Sequence, residues 1–130
     1  MKKYIEVSVL VTTAILLAGS ALRSGTPVDL KVGDKAPKFE AKDDTGKLWK
    51  SSDHVGKKIM VVYFYPADFT GGCTKEACAY RNDYGTLTEK GVDVVGVSGD
   101  SSHNHELFKK AHELNFTLLA DTEGKIASAF

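Results

Sequence analysis

The sequence predicts an α/β fold in which strands alternate with helices around a largely parallel sheet. The first observation is a continuous apolar run at residues 59–65, rich in β-branched and aromatic side chains, which is typical of a strand buried on both faces. The second is a helical repeat that begins at Cys73 and stops near Gly91. Further apolar runs at residues 92–97 and 116–120 continue the alternation, which indicates βαβ units.

The composition indicates one small globular domain. The chain has 130 residues, 42% of them hydrophobic, which is enough for a single core. Seventeen basic and 17 acidic side chains cancel, so no nucleic-acid partner is expected, because such proteins carry a strongly basic face. Two cysteines are too few for a disulfide-stabilised scaffold. We expect a monomer.

The first 21 residues have the layout of a secretory signal peptide: a basic start, an apolar stretch at residues 7–18 and small residues after it. That stretch is short for a membrane span, which needs about 20 residues. We therefore predict a signal peptide at residues 1–21 and an exported protein, in the periplasm or cell envelope. An uncleaved membrane anchor formed by residues 4–21 is the alternative, and would be the protein's one contact with a membrane. Residues 22–31 are interpreted as a linker and residues 32–130 as the folded domain.

The folded domain is predicted to open with a β-hairpin. Two short strands at residues 39–42 and 48–50 flank a turn sequence at residues 43–46. Residues 51–53 are suited to capping a short helical turn. Trp49, in the second strand, is interpreted as a core side chain.

A second helix is predicted after residues 100–102, whose acid and two serines are suited to an N-cap. We expect its apolar face to consist of Leu107, Phe108, Ala111 and Leu114.

Three histidines accompany this helix: His103, His105 and His112. The first two are two residues apart and point to different sides of a helix, so no metal site is expected. All three are interpreted as surface side chains.

The chemistry is predicted to centre on Cys73. Pro66 ends the preceding strand because it cannot donate to a sheet ladder, and glycines 71 and 72 allow a tight turn. Cys73 then falls in the first turn of a helix, where free amides and the helix dipole favour a thiolate. Fast chemistry also needs groups that orient the substrate and stabilise charge on its leaving oxygen. The hydroxyl of Thr70 and the turn amides are candidates.

The second cysteine, Cys78, follows Cys73 by five residues. On an intact helix their Cα atoms would lie roughly 8.6 Å apart. A disulfide usually needs less than about 7 Å. The two cysteines therefore either never bond, or bond when the first helical turn melts. The more specific hypothesis is a redox cycle in which the first helical turn unfolds locally. The alternative is inert core packing of either cysteine.

The motif P-x-x-x-T-x-x-C, which ends at Cys73, resembles the active-site motif of the peroxiredoxins. The motif C-T-x-E-x-C, which ends at Cys78, resembles the Q-type branch, also called bacterioferritin comigratory proteins. Segments at residues 33–39 and 116–121 are also similar to that family, so the resemblance runs from Val32 to the end of the chain. It implies a thioredoxin-like fold in its peroxiredoxin variant, with an N-terminal β-hairpin.

The resemblance also implies roles for five residues. Cys73 would be the peroxidatic cysteine and Cys78 the resolving cysteine, joined in an intramolecular disulfide after reaction. Thr70 would hydrogen-bond the peroxide, Pro66 would shield the sulfenate and Glu76 would help to orient the site. The implied substrates are hydrogen peroxide and organic hydroperoxides, and a thioredoxin-like protein would be the reductant. No metal, haem or flavin is implied.

Several features of the family are not found in this sequence. The family's active-site arginine, its last two strands and its final helix would lie beyond Phe130. Neither Arg23, in the linker, nor Arg81, roughly 12 Å along the helix from Cys73, is a good substitute. We therefore expect the chain to be a C-terminally shortened form. The missing arginine also leaves open a non-catalytic thioredoxin-fold binding module.

A thiol–disulfide oxidoreductase acting on proteins is a further alternative. That chemistry typically uses Cys-x-x-Cys, whereas four residues separate the cysteines of this chain.

Overall fold

The computed structural model describes residues 29–130, and the alternation of strands and helices is confirmed. The described chain contains five strands, three α-helices and one turn of 3₁₀-helix. In chain order they are β1 (Glu40–Asp43), β2 (Leu48–Lys50), the 3₁₀ turn (Ser51–Asp53), β3 (Ile59–Phe64), α1 (Gly71–Glu89), β4 (Val92–Ser98), α2 (Ser102–Ala111), β5 (Thr117–Ala120) and α3 (Lys125–Ala129).

The strands form one mixed sheet in the order β2-β1-β5-β4-β3. Strands β3, β4 and β5 are parallel, with Val62 opposite Val95 and Val95 opposite Thr117. The hairpin is added antiparallel, so that Lys42 of β1 lies opposite Ala120 of β5. Because the three parallel strands run the same way, the loops after β3, β4 and β5 meet at one edge of the sheet. That edge contains the loop that leads to Cys73.

Both faces of the sheet are covered, because alternate residues of β4 point to opposite sides. Val94 packs on the side of α1 and α2, whereas Val95 and Val97 pack on the side of α3. The predicted apolar face of α1 is confirmed, with Cys73 and Ala77 buried in the first cluster. Tyr80, Tyr84 and Leu87 pack against that cluster. Trp49 is buried in the second cluster, as expected.

The expectation that β3 is buried on both faces is wrong. Its terminal residues Ile59 and Phe64 are 66% and 40% exposed. Within residues 29–130, β3 pairs with β4 alone and lies at the end of the sheet. The apolar run correctly indicates a strand, but its position in the sheet depends on pairings that the run does not encode.

The expected apolar face of α2 is also only partly right. Phe108 is fully buried and Leu114 is buried just beyond the helix, but Leu107 is 45% exposed and Ala111 is exposed as well. The buried place one turn before Phe108 is taken by His105, whose exposure is 0%. The helix is therefore rotated so that a histidine, rather than a leucine, faces the sheet.

Gly96 in β4 gives a testable limit on the packing of this core. A Cβ atom there would lie 2.8 Å from Leu118 Cδ2 and 2.9 Å from the Tyr63 ring and hydroxyl. Both neighbours are buried, so Gly96→Ala is expected to destabilise the fold by about 1–3 kcal/mol, measured by urea unfolding. Gly99→Ala is the control, because its Cβ would meet no atom within 4 Å. Equal stability of the two variants would contradict the prediction.

Candidate active site

The loop between β3 and α1 places Cys73 at the edge where the parallel strands end. Helix α1 begins at Gly71, so Cys73 is its third residue, as the sequence predicts. The side chain lies in the cluster between the sheet and α1, and the residue is only 9% exposed. A thiol at this position is close to the free amides of the first turn but largely shielded from water.

Thr70 occupies the N-cap position of α1 with an extended backbone. Its hydroxyl does not cap the helix, however, and instead donates to the carbonyl of Ala67 at 3.2 Å. The Thr70 carbonyl accepts the first helical hydrogen bond, from the Thr74 N–H at 2.8 Å. The exposed hydroxyl is therefore held by one weak bond and leaves the helix amides without a side-chain cap.

Cys78 lies on the same unbroken helix and is half-buried. Both cysteines are free thiols. Because α1 is continuous from Gly71 through Cys78, the structure shows the arrangement in which a disulfide between them is geometrically excluded.

Glu76 is exposed on the first turns of α1, and its charge acts on a buried phenol. Burial, followed by the negative charge of Glu76, raises the pKa of Tyr63 above its usual range. The Tyr63 hydroxyl is buried without a hydrogen-bond partner. Tyr63 therefore stays a neutral phenol in the buried cluster that also contains Cys73.

Pro66 is exposed and lines a groove of about 320 Å³ between the ends of β3 and β4 and the start of α3. Phe64, Gly99 and Gly124 contribute to its walls. Neither Cys73 nor Thr70 lines this groove. The structure thus places the five candidate residues on one loop and the following helix, and this groove is lined by Pro66 but not by the cysteine.

Phe69, directly before Thr70, has a backbone conformation that sequence analysis does not predict. Its φ of 61° lies in the left-handed region that non-glycine residues rarely adopt. The ring is 54% exposed and packs edge-on against Phe108, with ring centroids 5.1 Å apart. Such strain often occurs at functional loops and persists only where neighbours hold it.

A buried polar cluster at the base of this loop was missed by sequence reasoning. Its members are Asp68 of the loop, His105 of α2 and Tyr65 at the end of β3. His105 Nδ1 lies 2.8 Å from Asp68 Oδ2, and the Tyr65 hydroxyl donates to Asp68 Oδ1 at 2.7 Å. The interpretation of His105 as a surface side chain is therefore wrong. Its spacing of three from Phe108 was the available signal, because both then share a helix face.

Asp100, in the loop after β4, binds the backbone N–H of Asp68. Its carboxylate accepts from the Asp68 N–H at 2.8 Å and from the Ser98 hydroxyl at 3.0 Å. Burial alone would raise the pKa of Asp100, but hydrogen bonds from Asp68, Ser98 and Asn104 outweigh it and the pKa is lowered. The ionised carboxylate is therefore the form that ties the two loops together.

We expect Asp100→Asn to destabilise the fold by about 1–2 kcal/mol at neutral pH, because hydrogen bonds to a charged acceptor are lost. A carboxyl with a lowered pKa stabilises above its unfolded pKa, and this contribution is lost as the pH falls through the folded value. The gap between wild type and variant should therefore close below about pH 4. Urea unfolding across pH measures it, with the exposed Asp83→Asn as control. A gap that persists in acid would contradict the prediction.

Arg81, the arginine of α1, is engaged away from the loop. Its guanidinium donates to the carbonyl of His112 at 2.7 Å and to Asn82 at 3.0 Å. These contacts tie α1 to the segment after α2. They agree with the expectation that Arg81 does not replace an arginine at the thiol.

Comparison with known proteins identifies relatives of the chain. Peroxiredoxin Bcp of Bacillus subtilis is 48% identical over 101 residues, which cover 78% of this chain and 64% of the relative. A chloroplastic peroxiredoxin Q of Sedum lineare is 49% identical over 94 residues, which cover 72% of this chain and 50% of the relative. The chain therefore spans between half and two thirds of the length of these relatives.

Solved structures confirm the thioredoxin-like peroxiredoxin fold. The crystal structure of the peroxidoxin BcpB of Mycobacterium tuberculosis superposes with a TM-score of 0.75 at 35% identity, covering 78% of this chain and 66% of that one. Peroxiredoxin Q of Xanthomonas campestris gives a TM-score of 0.68 at 28% identity, covering 71% and 58% of the two chains.

The predicted export to the periplasm or cell envelope is wrong. The plant relatives are named as chloroplastic proteins, and the names of the bacterial relatives carry no reference to an envelope. The expectation rested on hydrophobicity at residues 1–21, which does not identify a compartment. Those residues, and with them the signal peptide and the anchor at residues 4–21, lie outside the described part of the chain, as does most of the linker.

No helix within residues 29–130 combines the length and apolar character needed to cross a bilayer.

The family assignment rests on nearly the whole described chain. The sequence profile of the AhpC/TSA family matches residues 32–130. The relatives at almost half identity and the superposed structures are Bcp and peroxiredoxin Q proteins. The chain belongs to the AhpC/TSA family, in the peroxiredoxin branch that contains the Bcp and peroxiredoxin Q proteins.

Proposed function

We propose that the chain is a thiol peroxidase that reduces hydrogen peroxide and organic hydroperoxides through Cys73. The observation that carries this proposal is the place of Cys73: a shielded thiol on the first turn of α1, after the strained loop at the carboxyl edge of the sheet. The first-turn amides have no partner within the helix and can donate to oxygen. Membership of the peroxiredoxin branch supports the same activity.

In the proposed reaction the Cys73 thiolate attacks one peroxide oxygen and the O–O bond breaks. The sulfur gains that oxygen as a sulfenic acid, and the other oxygen leaves as water or an alcohol after taking up a proton. The Thr70 hydroxyl, held by one weak bond to Ala67, would turn to the peroxide. Pro66 would shield the sulfenate, and Glu76 would help to orient the helix turn.

Resolution is proposed to use Cys78. Its thiol attacks the sulfenic sulfur, water leaves and an intramolecular disulfide forms. A thioredoxin-like dithiol protein would then reduce that disulfide and become oxidised itself. We propose residues 32–130 as the peroxidase domain, acting as a monomer. The reaction as written uses only thiols, peroxide and protons, so the proposal includes no cofactor.

The direct test is the intact mass of the full chain after one equivalent of hydrogen peroxide. A loss of two hydrogens in the parent is the expected result. Cys73→Ser should remain unchanged. A parent that is unaltered by peroxide would overturn the proposal. Reduction of a protein disulfide without any peroxide consumption would favour the thiol–disulfide oxidoreductase instead.

A further inference from the structure

The buried cluster of Asp68, His105 and Tyr65 lies outside the five residues assigned to the reaction. His105 is fully buried and the Asp68 side chain is 2% exposed, so neither touches bulk solvent. Buried polar groups of this kind are costly unless every one of them is paired. Asp68 lies at the base of the loop, five residues before Cys73, which suggests a role for the cluster beyond packing.

Asp68 is held in three directions at once. Its N–H donates to Asp100, one carboxylate oxygen accepts from Tyr65 and the other lies 2.8 Å from His105 Nδ1. The ring of His105 is fixed in turn, because its Nε2 lies 3.1 Å from the Leu119 carbonyl of β5. Asp68 thus links the loop directly to β3, to the loop after β4 and to α2. Through His105 it is also linked to β5.

The contacts of His105 limit where the protons of the pair can lie. Both ring nitrogens of His105 face oxygen atoms, and the Leu119 carbonyl can only accept. A neutral imidazole has a single N–H, so both contacts are hydrogen bonds only when one additional proton is shared between His105 and Asp68. Imidazolium with carboxylate and imidazole with carboxylic acid both meet this condition.

From these contacts we infer that Asp68 and His105 are positioning residues, which clamp the start of the loop and thereby hold Thr70 and Cys73 in the geometry for attack on peroxide. The strained φ of Phe69 follows directly after the clamp. A strained residue relaxes unless its neighbours are held, and Asp68 is the neighbour held most firmly. This inference rests on the proposed peroxidase function and adds to it the residues that keep the loop in place.

Asp68 is the better residue to substitute in a test of the clamp. Replacement of the fully buried His105 risks unfolding the chain. Asp68→Asn keeps every contact: its oxygen accepts from Tyr65, and its amide donates to the Nδ1 of a neutral His105 whose Nε2–H still reaches Leu119. Asp68→Ala removes both side-chain contacts. A displaced reacting group of about 1 Å costs about 100-fold in rate, so we expect a loss of that order in Asp68→Ala. Asp68→Asn should lose less than about tenfold.

The chain also offers a matched pair of tyrosine variants. Tyr65→Phe removes a hydroxyl that donates to the clamp, and Tyr84→Phe removes one that donates at 2.8 Å to Asp93, on β4. We expect the peroxide rate to fall about tenfold in Tyr65→Phe and to stay unchanged in Tyr84→Phe. Urea midpoints of all variants separate rate from stability. A purely structural role would lower the midpoint of Asp68→Ala while its folded molecules react at the parental rate, and this result would overturn the inference.

Hydrogen exchange gives a readout that needs no activity. Amides at residues 69–73 should exchange at least about tenfold faster in Asp68→Ala than in Asp68→Asn. If the parent does not react with peroxide, the proposed function fails, and the clamp is then judged on exchange alone. Equal exchange in the two variants would overturn the clamp whether or not the parent is active.

Discussion

Replacement of Cys73 by serine is expected to lower the rate of peroxide consumption by at least about 1,000-fold, because the variant lacks the thiol that attacks the peroxide in the proposed reaction. A serine hydroxyl is not ionised at neutral pH and does not form a stable oxygen adduct with peroxide. Stopped-flow measurement under excess peroxide gives the rate. The fold should be retained, because the substitution replaces a single sulfur atom by oxygen. Cys73 is 9% exposed.

Cys78→Ser is the informative companion to this variant. The first step should proceed at the parental rate, because Cys78 takes no part in it, but the sulfenic acid on Cys73 should then persist. Intact mass would show a gain of one oxygen atom at low peroxide and of further oxygens at high peroxide. Equal peroxide rates in the parent and in Cys73→Ser would remove Cys73 from the mechanism. A parent that keeps the added oxygen atom as long as Cys78→Ser does would remove Cys78 from the resolution step.

The position of Cys73 could be predicted from sequence because the signals are local. A strand, a proline, a pair of glycines and a helical repeat follow one another within residues 59–91, and each determines its own short segment. The hairpin and the buried Trp49 were predictable for the same reason. The exposure of Phe64 at the end of β3 could not be predicted, because it depends on which strands pair. The residues around Phe64 in sequence are apolar and favour a buried position.

The contact between Asp68 and His105 could not be predicted from the sequence for a different reason. His105 is buried because Asp68, 37 residues earlier, reaches it with a carboxylate. A histidine between polar neighbours on a helix is ordinarily solvent-exposed, and only the partner reverses this expectation. The left-handed φ of Phe69 likewise has no local signature, since neither the ring nor its neighbours favour it. The least predictable features of the loop are thus those that hold it in shape.

Formation of a disulfide between Cys73 and Cys78 requires a conformational change in α1. Cys73 and Cys78 lie on an unbroken α1, where their Cα atoms are too far apart for a disulfide. If the disulfide forms, the first turns of α1 must open first, and the rate of resolution is then limited by the fraction of molecules that are open. Any substitution that stabilises these turns without touching sulfur should slow the second step.

Gly71 and Gly72 provide such substitutions. Both have ordinary negative φ values, and an added Cβ atom would meet nothing within 4 Å at either position. Alanine stabilises a helix relative to glycine by about 0.5–1 kcal/mol per site. The double variant Gly71→Ala/Gly72→Ala should therefore favour the closed helix by about 1–2 kcal/mol and slow disulfide formation by about 5–30-fold. The first step, measured in the same stopped-flow trace, should be unchanged or nearly so.

Gly85→Ala is the matched control, because it makes the same change in the same helix at a distance from the opening turns. Its Cβ atom would also meet nothing within 4 Å, so it should raise the urea midpoint through about 1 kcal/mol of added stability. It should leave the disulfide rate as in the parent, since residues beyond Cys78 stay helical when the first turns open. If the double variant raises the urea midpoint but forms the disulfide at the parental rate, resolution does not pass through an opened helix. If Gly85→Ala slows it equally, the opening extends over the whole of α1, and the unit that unfolds is the helix rather than its first turns.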